Sequence, residues 1–127
     1  DTKNLSEDDF YLEILKRYDE NLRSEFDELS LQFQQKFPDS SLVDDVLYLQ
    51  GQFEFTSLQY GAALKTFNLI IQKYPGSNRV PAAYYSKGLT LKQMHLKDLA
   101  KEVLAQTQKL FPGSQEARRA EKDLKLL

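Results

Sequence analysis

The sequence predicts an all-α fold in which three helical hairpins stack in series into an α-solenoid and one C-terminal helix closes the stack. Three observations predict it. Pro38, Pro75 and Pro112 recur at a spacing of 37 residues, and Tyr11, Tyr48 and Tyr85 keep the same step. Each interval carries two stretches with apolar residues three and four apart, the helical spacing, separated by a short polar break. Gly51 and Gly88 stand 12 residues before Ala63 and Ala100, which stand 12 before Pro75 and Pro112. A fixed period of this length marks stacked repeats, each burying its apolar face only against a neighbour.

The first unit covers residues 5–37. Ser6 followed by Glu7, Asp8 and Asp9 reads as a helix start, with a hydroxyl for a free amide and acids at the positive end of the dipole. Phe10, Tyr11, Ile14, Leu15 and Tyr18 form the first stripe. A break near residues 19–21 leads to Leu22, Phe26, Leu29 and Phe33. The second stripe stops at Phe37-Pro38, because proline lacks an amide hydrogen and pushes its predecessor out of the α region.

The second unit, 38–74, has Ser40 or Ser41 as cap. Its first helix carries Leu42, Val43, Val46, Leu47, Tyr48, Phe53 and Phe55, and its second runs from about Gln59 to Tyr74. Gly51 falls in mid-helix, where glycine costs about 1 kcal/mol against alanine. The expected reason is close approach of the partner helix, with Ala63 as the matching small residue. The third unit, 75–111, repeats the plan with Ser77 or Asn78 as cap, Pro81 in the first turn where a missing amide is tolerated, and the small pair Gly88 and Ala100. Ser114 caps a closing helix over 114–126. Ala117, Ala120 and Leu124 share one face of it, and Arg118, Arg119, Lys122 and Lys125 lie elsewhere. The second and third units share only six of 37 residues, but these are the stop, the cap and the small contact residues that set geometry.

At 127 residues, 41% hydrophobic and 12% aromatic, the chain is expected to form one domain with its own core. A net charge of −2 gives no pull toward nucleic acid, and the lack of cysteine excludes thiol catalysis, cysteine zinc sites and disulfides. No apolar run approaches the roughly 18 residues of a membrane span, so no membrane insertion is expected. No secretory signal opens the chain, and a first residue of Asp reads as an excised domain or a mature product. Charge is split along the sequence: residues 1–50 carry a net −8 and residues 51–127 a net +6. Solvated helix faces explain this plainly. The sharper reading is a dipolar molecule that orients a charged partner or associates weakly, head to tail, with its own copies.

The order large residue, Gly, Ala, large residue, Pro (Leu47, Gly51, Ala63, Phe67, Pro75, then Tyr84, Gly88, Ala100, Leu104, Pro112) resembles the tetratricopeptide repeat. That resemblance implies a right-handed α-solenoid of helix–turn–helix units whose first helices line a concave groove. The unit here is longer than the usual length of about 34, with the surplus after the proline. The first copy departs from the pattern, since Ile14 and Phe26 stand where Gly and Ala would, and its hairpin is expected to splay wider. The junctions Phe37-Pro38-Asp39-Ser40, Tyr74-Pro75-Gly76-Ser77 and Phe111-Pro112-Gly113-Ser114 narrow the resemblance. Over residues from about 36 to 127 the chain is similar to the C-terminal domain of the Tol–Pal-associated periplasmic cell division coordinator family. It is similar more distantly to the tetratricopeptide lipoprotein of the outer-membrane β-barrel assembly machinery. The resemblance implies a periplasmic adaptor with Tol–Pal or peptidoglycan-synthesis partners, while a cytosolic scaffold for a regulatory protein stays open.

No catalytic constellation is legible, and the chain reads as a protein without enzymatic activity. His95 is the only histidine and is expected in a turn; metal binding or acid–base work needs partners it lacks in sequence. Asp8-Asp9 and Asp44-Asp45 each open a helix, where acids serve the dipole. Gly76-Ser77 and Gly113-Ser114 do not extend into a phosphate-binding loop. No catalytic, metal or cofactor-binding residue is therefore assigned. What remains is an aromatic series on the first helices: Tyr11, Tyr48 and Tyr85, then Leu15, Gln52 and Leu89, then Tyr18, Phe55 and Lys92. A tyrosine column suits a partner protein's extended or helical segment, offering rigid contact area with a polar tip; packing between helices as core is the plain alternative. The Lys and Asn clamp for terminal carboxylates in chaperone-binding relatives is missing. Asp8, Tyr11, Asp45 and Tyr48 occupy that region, which disfavours a C-terminal carboxylate ligand.

Overall fold

A computed structural model describes residue 2 and residues 4–127. Among the described residues there are seven α-helices and no strand. They are α1 (Glu7–Asp19), α2 (Arg23–Lys36), α3 (Val43–Thr56), α4 (Tyr60–Lys73), α5 (Val80–Gln93), α6 (Lys97–Leu110) and α7 (Gln115–Lys125). From α3 onward each helix packs along the next, and α5 also reaches α7. α1 and α2 approach each other less closely, α2 meets α3 sparsely, and α1 touches α3. No described helix is long and apolar enough to cross a membrane.

The 37-residue step is written into the backbone. Among the described residues Asn21, Leu58 and His95 are the three non-glycine residues with positive φ, at 58°, 64° and 63°. Each sits just past a helix end and closes it the same way. The Asn21, Leu58 and His95 amides donate to the carbonyls of Tyr18, Phe55 and Lys92; those of Leu22, Gln59 and Leu96 donate to Arg17, Glu54 and Leu91. This paired pattern satisfies helix-end carbonyls and needs a left-handed residue. His95 therefore has a backbone role, in the conformation that histidine, like asparagine, adopts more readily than most side chains. At the other junctions Phe37, Tyr74 and Phe111 share one conformation, with φ of −127°, −124° and −128°.

The junction serines act one step earlier than a helix cap. Ser6 and Ser114 cap α1 and α7 directly, accepting from the Asp9 and Ala117 amides. Before α3 and α5 the cap positions are Leu42 and Arg79, and their amides donate to Ser40 Oγ and Ser77 Oγ at 3.1 and 3.0 Å. Each hydroxyl in turn donates backward, Ser40 to Glu7 Oε2 at 3.1 Å and Ser77 to Asp44 Oδ2. The first-turn acid of one unit thus holds the loop that enters the next. Asp45 adds an ion pair to Arg79 at 2.6 Å, so Asp44 and Asp45 do more than serve the helix dipole.

The core is a cluster of buried side chains from Phe10 to Ala83, with a smaller one of Leu91, Ala100 and Val103. Gly51 and Gly88 are buried, and a Cβ at either would collide with the facing helix. The group it would strike is not the expected alanine. It would lie 2.5 Å from a Phe67 ring carbon, or 2.7 Å from Leu104 Cδ2. The glycines make room for a large side chain one turn beyond Ala63 and Ala100. In the first unit the equivalent registers are Ile14 and Ser30, with large and small exchanged between helices.

Candidate functional site

The predicted column divides into three places. Tyr11, Leu15 and Tyr18 are half-buried and pack on the main core. The Tyr18 ring meets Phe53 edge-on at 4.8 Å and Phe26 at 6.1 Å. Burial and then the neighbouring Tyr48 raise its pKa; burial and then Asp45 do the same for Tyr11. The guanidinium of Arg79, held by Asp45, lies 5.0 Å over the Tyr48 ring and beside the Tyr11 hydroxyl. Tyr11 and Tyr48 therefore both meet a residue of the third unit, Tyr48 through a cation–π contact, and that residue is itself held by its ion pair with Asp45.

Five predicted residues do come together. Tyr48, Gln52 and Phe55 from α3 and Tyr85 and Leu89 from α5 line an open cleft of about 130 Å³, joined by Ser86 and by Arg119 of α7. The walls are positioned by simple periodicity, since Tyr48, Gln52 and Phe55 succeed one another by single turns on one face of α3, as Tyr85 and Leu89 do on α5. Local bonds fix the side chains. Gln52 Nε2 donates to the Tyr48 hydroxyl at 2.7 Å, and Phe55 packs edge-on against Tyr60 at 5.5 Å. The Tyr85 hydroxyl donates to Asp123 Oδ2 on α7 at 2.5 Å. Burial, then this bond, push its pKa up to about 12.

Lys92 lies elsewhere, lining a shallow depression with Gln93, His95, Lys97 and Leu127. Arg79, Ser86, Arg119 and Asp123 escaped the sequence reading. Arg79 had no register signal, because Leu42 and Glu116 stand at its equivalent positions. Arg119 and Asp123 were legible as a one-turn pair on the closing helix, but nothing in their spacing said which face meets α5. The cleft offers apolar and aromatic area, hydroxyls and one guanidinium. Among the described residues no group of three or more His, Cys, Asp and Glu side chains is placed to hold a metal ion.

The fold and this cleft define a class: an all-helical protein with a 37-residue backbone period and an aromatic-walled cleft between the first helices of two successive units. No protein-family model matches the chain, and no curated protein matches it significantly.

Proposed function

We propose that the chain is a non-catalytic protein-interaction module: a right-handed α-solenoid of three tetratricopeptide-like hairpins and a capping helix that holds a partner segment along its first-helix face. The observation that carries this reading is the Tyr48–Tyr85 cleft, where two successive units contribute equivalent residues to one surface. The recurrence of turn conformation at Asn21, Leu58 and His95 supports the stacked-repeat architecture. Sustained helix-on-next-helix packing from α3 to α7 supports it too. The resemblance of the Pro-x-Ser junctions supports a bacterial envelope setting, with partners of the Tol–Pal or cell-division type in the periplasm.

Binding through such a face concentrates in a few aromatic anchors. Tyr48→Ala combined with Tyr85→Ala is expected to weaken a purified partner's binding at least about tenfold, read by calorimetry, while circular dichroism shows helix content retained. A folded double variant that binds as tightly as the parent chain removes the groove reading.

A further inference from the structure

The cleft has largely aromatic and apolar walls and carries at its rim a guanidinium that no carboxylate pairs among the described residues. Arg119 lines the cleft beside Tyr85, Ser86 and Leu89, and among the described residues it makes no hydrogen bond and no ion pair. Two acids stand one turn from Arg119 on α7, Glu116 and Asp123; Asp123 accepts the Tyr85 hydroxyl, and neither acid forms an ion pair with the guanidinium. Of the other bases of α7, Arg118 donates to the Gly113 carbonyl at 2.7 Å, Lys125 lies 3.9 Å from Glu121, and Lys122 does not line the cleft. Tyr85 therefore shapes the cleft and engages Asp123, while the Arg119 guanidinium lines the same cleft without an ion pair among the described residues.

We propose that the cleft takes one apolar side chain of the partner, of about leucine size, whose immediate neighbour in the partner segment is an Asp or Glu that Arg119 binds. This rests on the groove reading above and names what the groove selects. The cleft's 130 Å³ is close to the roughly 150 Å³ of an apolar cavity that admits benzene, so one branched or ring side chain fills it. Tyr48, Phe55 and Tyr85 give that side chain rigid walls. The guanidinium fork matches a carboxylate in two parallel hydrogen bonds, which an amide of the same shape cannot equal. The net +6 of residues 51–127 draws an acidic segment toward this end of the molecule.

Three peptides, acetylated and amidated so that only the side chain carries charge, separate the contributions: Ala-Leu-Glu-Ala-Ala, Ala-Leu-Gln-Ala-Ala and Ala-Ala-Glu-Ala-Ala. Each is titrated into the isotope-labelled chain while amide and guanidinium NMR signals are followed. The Leu-Glu peptide is expected to shift Tyr48, Tyr85, Leu89 and Arg119. The Leu-Gln peptide should bind about two- to fivefold more weakly, the range of an exposed ion pair, and the Ala-Glu peptide should not reach saturation. Arg119→Gln, an exposed substitution, should erase the difference between the first two peptides. Equal binding of Leu-Glu and Leu-Gln by the parent chain overturns the charge selection and leaves the groove reading intact. No shift at the cleft with any peptide overturns the inference. Shifts at the same signals on concentrating the chain alone overturn it too, by assigning the cleft to a second copy.

Discussion

In the second hairpin α3 presents Gly51 to the ring of Phe67 on α4, and in the third α5 presents Gly88 to Leu104 on α6. In the first hairpin the same registers hold Ile14 on α1 and Ser30 on α2. The first hairpin therefore places its bulk on the opposite helix. Total volume at a helix crossing has to be kept, but which helix supplies it is free. The exchange is incomplete, however. Phe26 stands where Ala63 and Ala100 stand, adding bulk with no matching reduction, and α1 and α2 are the less closely packed pair. Ser30 is buried and among the described residues its hydroxyl has no partner, so the small residue chosen there also carries a desolvation cost.

The comparison breaks most sharply at the second crossing. Phe67→Ser is expected to destabilise by about 3–5 kcal/mol, the range for deleting a buried ring. Gly51→Ile alone overpacks against that ring and should cost about 1–3 kcal/mol. Together they rebuild the first hairpin's arrangement, so the double variant should be at least about 1 kcal/mol more stable than the sum of the two losses predicts. Urea unfolding of the four chains measures the cycle. Strictly additive losses would show that the two crossings are not equivalent registers.

Helix order and most boundaries were legible because period, caps and proline stops are local, although α3 and α5 have their cap positions at Leu42 and Arg79 rather than at the residues expected to cap them. Ser6, Ser114 and the Phe-Pro and Tyr-Pro stops act within a few residues of where they stand. The glycines were legible as close approaches, but their partners were not. Ala63 and Phe67 lie one turn apart on the same face, and only packing shows that the ring takes the space. The cleft was half legible. Tyr48, Gln52, Phe55, Tyr85 and Leu89 follow from the repeat, whereas Arg119 lies on the closing helix outside the three units, and Arg79, which covers Tyr48 from outside the cleft, stands at a position the units do not share. A period finds what units share; a binding surface also uses what they do not.

The junctions extend the comparison at smaller scale. Between the second and third units Asp44 is buried and accepts from Ser77, and Asp45 pairs with half-buried Arg79. Between the first and second, exposed Glu7 alone accepts from Ser40. At the last junction Pro81 holds that register and Ser114 turns to the Phe111 carbonyl. Removing a buried charged acceptor leaves its donor unpaired, so Asp44→Ala should lower stability by about 1–3 kcal/mol. Glu7→Ala should lower it by less than about 1 kcal/mol, as for an exposed bond. Equal effects, read from thermal unfolding, would mean that the second junction is no tighter than the first.

The turns differ least in shape and most in residue, which makes them the finest test. All three turn residues sit in the left-handed region, yet one is asparagine, one leucine and one histidine. For an L side chain that conformation costs roughly 1–2 kcal/mol, through the clash of Cβ with the following carbonyl. Asparagine tolerates it by bonding locally, and histidine more than most. Leu58 has no such relief, and at 72% exposed it has little packing to lose. Glycine removes the clash but widens the freedom of the unfolded chain, which returns part of the gain. Leu58→Gly is therefore expected to stabilise by about 0.5–1 kcal/mol, His95→Gly by less, and Asn21→Gly by nothing measurable. A lower urea midpoint for Leu58→Gly than for the parent chain would mean that this leucine contributes contacts worth more than the strain it carries.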